Sequence, residues 1–192
     1  LEDYLYKFGF GERTGGELPG ENKGNFTKYN ICTTCLSSLS IGYSVNVTQL
    51  QMVKAYSIIA NGGKNINLSL IKKPPENSNV QQVVSPEMSE RLRNLLINVV
   101  EGANGTGKSL KLDNYIIGGK TGTSRTHIEG DGYSDFRFNT SFTGFIETLE
   151  GPVVGSIILW GASVNPASEY VTGGSTAAPI FKTIVSNLVP GE

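Results

Sequence analysis

The chain is poor in cysteine and histidine, nearly neutral, and without a long apolar run. Its 192 residues include two cysteines and one histidine and carry a formal net charge of −1. So few thiols and imidazoles cannot complete a four-ligand zinc site, and Cys32 and Cys35 are interpreted as two cysteines of a polar loop, paired or not. The charge balance gives no basic surface for nucleic acid. The longest apolar run, from Val153 to Trp160, is far shorter than the ~20 residues that cross a bilayer. We therefore expect no metal, no other cofactor and no nucleic-acid partner.

Four segments have the periodicity or the end signals of helices, and they cover residues 1–10, 48–61, 85–101 and 179–188. Thr48 and Gln51 form a capping box at the start of the second segment. Ser85 is the expected N-cap of the third, with Pro86 in its first turn. The apolar positions expected to be buried are, helix by helix, Met52, Tyr56 and Ile59, then Met88, Leu92, Leu95, Leu96 and Val99, then Ile180, Ile184, Val185 and Leu188.

Three strands are predicted, over residues 115–124, 140–147 and 153–160. The second and third are apolar on both faces, which predicts that helices cover both sides of the sheet. The order of helix, three neighbouring strands and helix therefore predicts a mixed α/β fold with an antiparallel sheet sandwiched between helices. Polar stretches between these elements are predicted to be loops, with an irregular strand in the second of them; they cover residues 15–35, 62–75 and 126–137.

One short segment, Lys120-Thr121-Gly122-Thr123-Ser124, has the chemistry of an acyl-transfer site. It continues the first predicted strand, where side chains alternate, so that Thr121 and Thr123 lie on one face. Gly122 between them allows a ligand to approach the backbone closely. Lys120 adds a fixed positive charge beside two hydroxyl donors, and this combination suits a substrate carboxylate.

The loop predicted over 126–137 borders this segment. Arg125, together with Ser124, is expected at the mouth of the site, and His127 is expected to be exposed. The acidic residues of the loop are too few and too closely spaced for a calcium site and are predicted to be solvated. Its aromatic residues are candidates to cover the groove, and they are Tyr133, Phe136 and Phe138.

Flanking segments make the Lys120 pattern specific. They occur in the order seen in the transpeptidase domain of class B penicillin-binding proteins, whose third sequence box is Lys-Thr-Gly. The chain resembles that domain over nearly its whole length, and its later part is most similar to the division-type enzymes. The segments are Leu18-Pro19-Gly20-Glu21, Ser40-Ile41-Gly42-Tyr43, Thr48-Gln49-Leu50-Gln51, Ala60-Asn61-Gly62-Gly63, Gly105-Thr106-Gly107, Ser141-Phe142-Thr143-Gly144-Phe145 and residues 173–181.

The resemblance implies a β-lactamase/transpeptidase-like fold and the activity of a peptidoglycan D,D-transpeptidase. In such an enzyme a serine attacks the penultimate D-alanyl carbonyl of a stem peptide. The implied catalytic residues are Lys120, through its ammonium group, and Thr123, through a backbone N–H of the oxyanion hole. The implied substrate-binding residues are Thr121, Gly122, Thr123 and Ser124, with both threonine hydroxyls on the substrate carboxylate.

The resemblance also implies partners and a location. The partners are peptidoglycan stem peptides, β-lactam antibiotics, the N-terminal remainder of the same protein and membrane proteins of the division complex. The expected location is the cell membrane, with an anchor upstream of Leu1 and the catalytic domain on the periplasmic or extracellular side.

Two further boxes of the family, Ser-x-x-Lys and Ser-x-Asn, should precede Lys120 in that order. A match to the first begins at Ser69, and matches to the second begin at Ser44 and Ser163, so the order is wrong. Ser69 also lies in a strand-like apolar run, whereas the nucleophile of the family begins a helix. We therefore interpret residues 1–192 as the C-terminal portion of a single transpeptidase domain, inactive by itself, whose N-terminal part carries the serine.

Two other interpretations stay open. A complete phosphate-loop pattern, G-x-x-x-x-G-K-S, begins at Gly102 and ends at Ser109. A phosphate loop leaves a strand and begins a helix, whereas here a predicted helix comes first and a predicted strand comes after it. The pattern is thus interpreted as a glycine-rich connection, with nucleotide hydrolysis as the alternative. The other alternative is a non-catalytic module that binds cell-wall peptides or a partner protein.

Overall fold

The structure, a computed structural model, describes residues 1–26, 33–43, 45–71, 80–163 and 171–188. They belong to two compact units, Leu1–Ser89 and Glu90–Glu192. Cys32 lies outside the described residues, and so does any pairing of the two cysteines. The match to Ser-x-x-Lys and the two matches to Ser-x-Asn are only partly described, because Ser44, Lys72 and Asn165 also lie outside these ranges.

The first unit contains three helices, α1 (Glu2–Lys7), α2 (Thr33–Ser40) and α3 (Gln49–Ala60). The predicted capping box of α3 is confirmed, since the Thr48 hydroxyl accepts the Gln51 N–H at 3.2 Å and the Gln51 side chain accepts the Thr48 N–H at 2.9 Å. The sequence does not predict α2, because its serine- and threonine-rich residues carry no strong apolar period. Cys35 belongs to α2, so its interpretation as a loop residue is wrong.

The second unit contains an antiparallel sheet of three strands in the order β1-β2-β3. Helix α4 begins in the first unit and is followed by a glycine-rich loop that leads through a three-residue 3-10 helix into the sheet. The Ser85 hydroxyl accepts the Met88 N–H at 3.2 Å, as expected of the N-cap. The elements are α4 (Pro86–Glu101), the 3-10 helix (Lys108–Leu110), β1 (Ile117–Ile128), β2 (Gly132–Thr148), β3 (Gly151–Ser163) and α5 (Ala177–Leu188).

Helices cover both faces of the central strand β2. On one face the Phe181 ring of α5 lies edge-on to the Phe142 ring, with centroids 4.8 Å apart. On the opposite face Arg93 of α4 lies 5.8 Å from the centre of the Phe145 ring and forms an ion pair with Glu147. The predicted mixed α/β fold, with an antiparallel sheet between helices, is confirmed. The core around Phe142 and Phe181 also contains Val100, Leu110, Ile117, Ile146, Ala177, Ala178 and Val185.

Strand β3 differs from its prediction. It is an outer strand of the described sheet, and Val153 and Trp160 are exposed on it. The apolar sequence on both faces of β3 therefore does not correspond to burial on both faces, as it does for the centre of β2.

The strands are longer than predicted, and the loop predicted over 126–137 is a hairpin. β1 runs to Ile128 and β2 begins at Gly132, and the turn between them has Gly130 and Gly132 at φ values of 81° and 82°. The turn therefore needs glycine, because other residues rarely adopt this left-handed conformation. Three cross-strand contacts join the arms: the Arg125–Asp135 ion pair at 3.0 Å, the edge-on rings of His127 and Tyr133, 5.4 Å apart, and the hydrogen bond of 3.0 Å that the Thr126 hydroxyl donates to the Asn139 side-chain oxygen.

The helices lie where the sequence predicts them, but the predicted buried faces are only partly confirmed. The partly buried positions are Met52, Tyr56, Ile59, Leu92, Leu96 and Val99. Of the predicted positions only Val185 is fully buried, while Met88, Leu95, Ile180, Ile184 and Leu188 are exposed. Helices α4 and α5 carry apolar residues on more than one side, so several large side chains are exposed while small ones such as Ser89, Ala177 and Ala178 are buried. The buried positions are Gln51, Ala55, Ser57, Ile58 and Ala60 in α3, Ser89 and Val100 in α4, and Ala177, Ala178, Phe181 and Val185 in α5.

The described part of the predicted irregular strand, residues 62–71, contains one isolated bridge, from Lys64 to Gln82. Ser69 lies in irregular chain rather than in a strand-like run. Across the described ranges, no helix combines the length and the apolar character needed to pass through a membrane.

Candidate active site

The site predicted around Lys120 lies on β1, the other outer strand of the described sheet. Two glycines just before Lys120 hold β1 against β2. A Cβ atom added at Gly118 would collide with the Phe145 ring, and one at Gly119 would collide with the Phe142 ring and the Thr143 carbonyl oxygen. The two rings thus pack against opposite faces of β1 and fix its backbone immediately before the Lys-Thr-Gly box.

Lys120 is exposed, and its Nζ donates a hydrogen bond to the carbonyl oxygen of Thr121 at 2.9 Å. Among the residues that the structure describes, no carboxylate lies within ion-pair distance of this ammonium group. Lys120 also lines an open cleft of ≈ 460 Å³, whose other wall includes Leu95 and Val99 of α4 and Thr106 of the glycine-rich loop. An unpaired ammonium group at the edge of a cleft is suited to an anionic ligand.

Thr121 and Thr123 lie on one face of β1, since they pair with Phe142 and Thr140 of β2. The Thr121 hydroxyl shares a hydrogen bond of 2.8 Å with the Thr106 hydroxyl. The Thr123 hydroxyl accepts the N–H of Gly173 at 3.1 Å. Both hydroxyls are therefore held by neighbouring loops, and each keeps hydrogen-bonding capacity for a ligand.

The space beside Gly122 is too small for a side chain. A Cβ atom there would collide with the Ser141 hydroxyl of β2, and a Cβ atom on Gly173 would collide with the Ser141 carbonyl oxygen. The backbone of Gly173 also lies close to that of Gly122, since a Cβ atom on Gly173 would be 2.5 Å from the Gly122 carbonyl oxygen. The close approach of a ligand at Gly122 stays a prediction. Ser124 is exposed, next to Arg125, whose charge is paired with Asp135.

The loop after β3 is tied to the sheet by hydroxyl groups. The Thr176 hydroxyl bonds the Thr172 carbonyl oxygen at 2.7 Å and lies 2.8 Å from the buried Thr140 hydroxyl of β2. The Ser175 side chain accepts the Thr172 N–H at 3.1 Å, which closes the turn that presents Gly173. Ser175 and Thr176 belong to a segment shared with the family, but no role is predicted for them from the sequence.

The glycine-rich loop is the segment that matches a phosphate-loop pattern. It comes after helix α4 and leads toward strand β1, in the reverse of the order that phosphate binding requires. The N–H groups of its three glycines are also already used, because Gly102 donates to Asn98 at 2.9 Å, Gly105 donates to Gly102 at 3.0 Å, and Gly107 donates to Val99 at 2.9 Å. The element order and these three hydrogen bonds therefore argue against the nucleotide-binding interpretation.

An ion pair closes the base of this loop. Lys111 and Glu101 lie 2.9 Å apart, and the Glu101 carboxylate raises the pKa of the Lys111 ammonium group. The Ser109 hydroxyl donates to the Gly174 carbonyl oxygen at 3.1 Å and so links the loop to the segment that presents Gly173.

Ser69, the serine of the Ser-x-x-Lys match, does not begin a helix as the nucleophile of the family does. Its hydroxyl donates to the Ile71 carbonyl oxygen at 2.8 Å and approaches Glu17 at 3.2 Å, and no helix begins there. Tyr133 and Phe136 are exposed on the hairpin, and their covering of the groove stays a prediction. Within the described parts of the chain, no group of three or more His, Cys, Asp or Glu side chains is arranged to hold a metal ion.

Comparison with known proteins identifies the family. Residues 1–186 match the model of the penicillin binding protein transpeptidase domain. The chain belongs to this transpeptidase family. The probable peptidoglycan D,D-transpeptidase PbpC of Pseudomonas aeruginosa is 32% identical over 188 residues, which cover 96% of this chain and 32% of that protein. Stage V sporulation protein D of Bacillus subtilis is 33% identical over 202 residues, covering 99% of this chain and 30% of that protein.

Solved structures of the transpeptidase family agree with the fold. The structure of penicillin binding protein 3 from Mycobacterium tuberculosis, complexed with ampicillin, has a TM-score of 0.78 and 30% identity. The match covers 97% of this chain and 44% of that one. The fold is therefore that of the penicillin-binding transpeptidase domains, and the chain spans about a third of the length of the curated relatives that it matches.

Proposed function

We propose that this chain forms the Lys-Thr-Gly side of a serine D,D-transpeptidase site that cross-links peptidoglycan stem peptides. The nucleophilic serine lies on a segment outside this chain. Its oxygen forms an ester with the penultimate D-alanyl carbonyl carbon as the bond to the terminal D-alanine nitrogen breaks and that amine leaves protonated. An amine of a neighbouring stem peptide then attacks the ester, forms the new amide and releases the serine.

The observation that carries the proposal is the unpaired Lys120 ammonium group beside two hydroxyls on an outer strand. The terminal D-alanine of a stem peptide carries a carboxylate, which is the anion this group suits. In this scheme Lys120 stabilises the carboxylate and assists proton transfer. Thr121 and Thr123 bind the carboxylate through their hydroxyls.

The backbone N–H of Thr123 is proposed as one donor of the oxyanion hole, with Gly122 and Ser124 lining the substrate-binding edge. The second donor is the N–H of the serine itself. Removal of one such donor lowers turnover by about 10²–10³-fold in serine hydrolases. Because two phenylalanine rings fix β1 just before the box, this edge is in place before the substrate arrives.

The proposal includes a β-lactam-binding activity, supported by the ampicillin complex of the Mycobacterium tuberculosis relative. The strained amide of a β-lactam acylates the same serine, with its carboxylate on Thr121 and Thr123. We further propose a division-type role with membrane proteins of the division complex as partners. The corresponding location is the outer side of the cell membrane, with the anchor upstream of this chain.

The test is acylation by a fluorescent penicillin in the complete protein, in which the serine-bearing segment precedes this chain. Lys120→Ala should lower the acylation rate by about 10²-fold or more, because the site loses its positive charge. The fold should persist, since the side chain is exposed and substitutions at such sites usually change stability by about 0.5 kcal/mol or less.

Lys108→Ala is the matched control. Lys108 is also exposed, and it occupies the lysine position of the phosphate-loop pattern. We expect normal acylation of this variant and no micromolar binding of ATP or GTP by the parent protein. Near-normal acylation of Lys120→Ala would contradict the assignment of the site.

A further inference from the structure

The glycine-rich loop places one hydroxyl group, that of Thr106, against the Lys-Thr-Gly box. We propose that Thr106 is a positioning residue, whose hydroxyl orients the Thr121 hydroxyl toward the substrate carboxylate. This inference rests on the proposed transpeptidase function. It adds to the site a residue that lies 15 positions before Thr121, outside the Lys-Thr-Gly box.

The loop does not depend on the Thr106 hydroxyl for its shape. Its backbone is fixed by the hydrogen bonds from Gly105 to Gly102 and from Gly107 to Val99, and Ser109 links it to Gly174. Among the described residues, the hydrogen-bond partner of the Thr106 hydroxyl is the Thr121 hydroxyl, at 2.8 Å. The Thr106 hydroxyl thus bonds the Lys-Thr-Gly box and is not needed for the backbone conformation of the loop.

Proton counting shows what the pair offers a ligand. Two hydroxyls carry two protons, and one proton is used in the hydrogen bond between them. When Thr106 donates that bond, the proton of Thr121 is left to point away from Thr106, and the accepted bond makes it a stronger donor. The pair therefore presents one polarised O–H group, which a carboxylate oxygen can accept.

Charge and position agree with this role. Lys120 and Thr106 line the same cleft, and the Lys120 ammonium group lies 2.9 Å from the carbonyl oxygen of Thr121. A carboxylate at this edge meets a cation and an oriented hydroxyl together, whereas an uncharged ester gains little from either. The contribution of Thr106 should consequently depend on the charge of the ligand.

The experiment uses two penicillins that differ only in carrying a free carboxylate or its methyl ester. Thr106→Val removes the hydroxyl at nearly constant shape, and Thr106→Ser keeps it. In the complete protein we expect Thr106→Val to lower the acylation rate constant for the carboxylate by about three- to tenfold and that for the ester by less than about twofold. Thr106→Ser should restore the carboxylate rate.

Ser109→Ala is the matched control for the loss of a hydroxyl from the same loop, because it removes the link to Gly174 and keeps the hydrogen bond between Thr106 and Thr121. It should change the two rates by the same factor. Equal losses on both penicillins in Thr106→Val, or no loss, would overturn the positioning role. Absence of acylation in the parent protein would instead overturn the proposed transpeptidase function.

Discussion

Single glycines decide how β1 presents its functional groups. Gly119 lies where a methyl group would meet the Phe142 ring, the Thr143 carbonyl oxygen and the backbone of Gly144. The backbone contacts cannot move out of the way without shifting β2, so this glycine is fixed by packing rather than by backbone conformation. Its place just before Lys120 links core packing to the geometry of the site.

Gly119→Ala should therefore destabilise the fold by about 1–3 kcal/mol through overpacking. Urea unfolding followed by circular dichroism measures the change. Gly155→Ala is the comparison, because its added Cβ atom meets the edge of the Phe181 ring at 3.0 Å, a side chain that can yield. A loss in Gly119→Ala no larger than that in Gly155→Ala would contradict this account.

At the level of single residues, side-chain chemistry and strand alternation are enough to predict part of the site. Lys120 is exposed, and Thr121 and Thr123 share one face, because a strand alternates wherever it lies. The bonds from Thr106 and Gly173 are not predictable in this way, because each joins positions distant in the chain. Their segments belong to the family pattern, which marks them without explaining their contacts.

Among the elements, apolar periodicity predicts where the helices lie but not which side of each helix is buried. Positions and caps of α3 and α4 are determined by Thr48 and Ser85, which are local signals. The buried side of each helix depends on its neighbours, and small residues such as Ala177 and Ala178 allow α5 to approach the sheet closely. Large apolar residues on another side, such as Leu95 and Ile184, misdirect a prediction based on hydrophobicity alone.

The attachment of α4 to β2 can be tested by a double-mutant cycle on Arg93 and Glu147. Arg93→Met and Glu147→Gln, alone and combined, should show a coupling energy of about 1–2 kcal/mol in urea unfolding, because the pair is largely shielded from water. The reference pair is Arg125 and Asp135 on the hairpin, whose side chains are mostly exposed. Its coupling should be about 0.2–1 kcal/mol and should weaken with salt. Equal coupling in the two pairs would contradict a special role for Arg93.

For the whole molecule, the relevant fact is that the chain spans about a third of its curated relatives. The match to the family covers both units, so the family assignment rests on the sequence as well as on the fold. The order of the Ser-x-x-Lys and Ser-x-Asn patterns in the sequence already suggests that the nucleophile lies elsewhere. Ser69 in irregular chain agrees with that interpretation.

Complementation tests this division of the site. The 192-residue chain alone should not be labelled by a fluorescent penicillin, and a mixture with the serine-bearing segment should be labelled. Labelling of the isolated chain would place the nucleophile within it. Absence of labelling in both the mixture and the complete protein would favour the non-catalytic alternative.

The apolar residues exposed on α4 and α5 bear on how the chain behaves in solution. Leu95 on one helix, and Ile180, Ile184 and Leu188 on the other, would rest against water in the isolated polypeptide. Such rows attract one another and environment-sensitive dyes, so concentrated samples are expected to self-associate and to brighten a dye such as anilinonaphthalene sulfonate. The substitutions Ile184→Glu and Leu188→Glu should then improve solubility, and neither residue lines the cleft that contains Lys120.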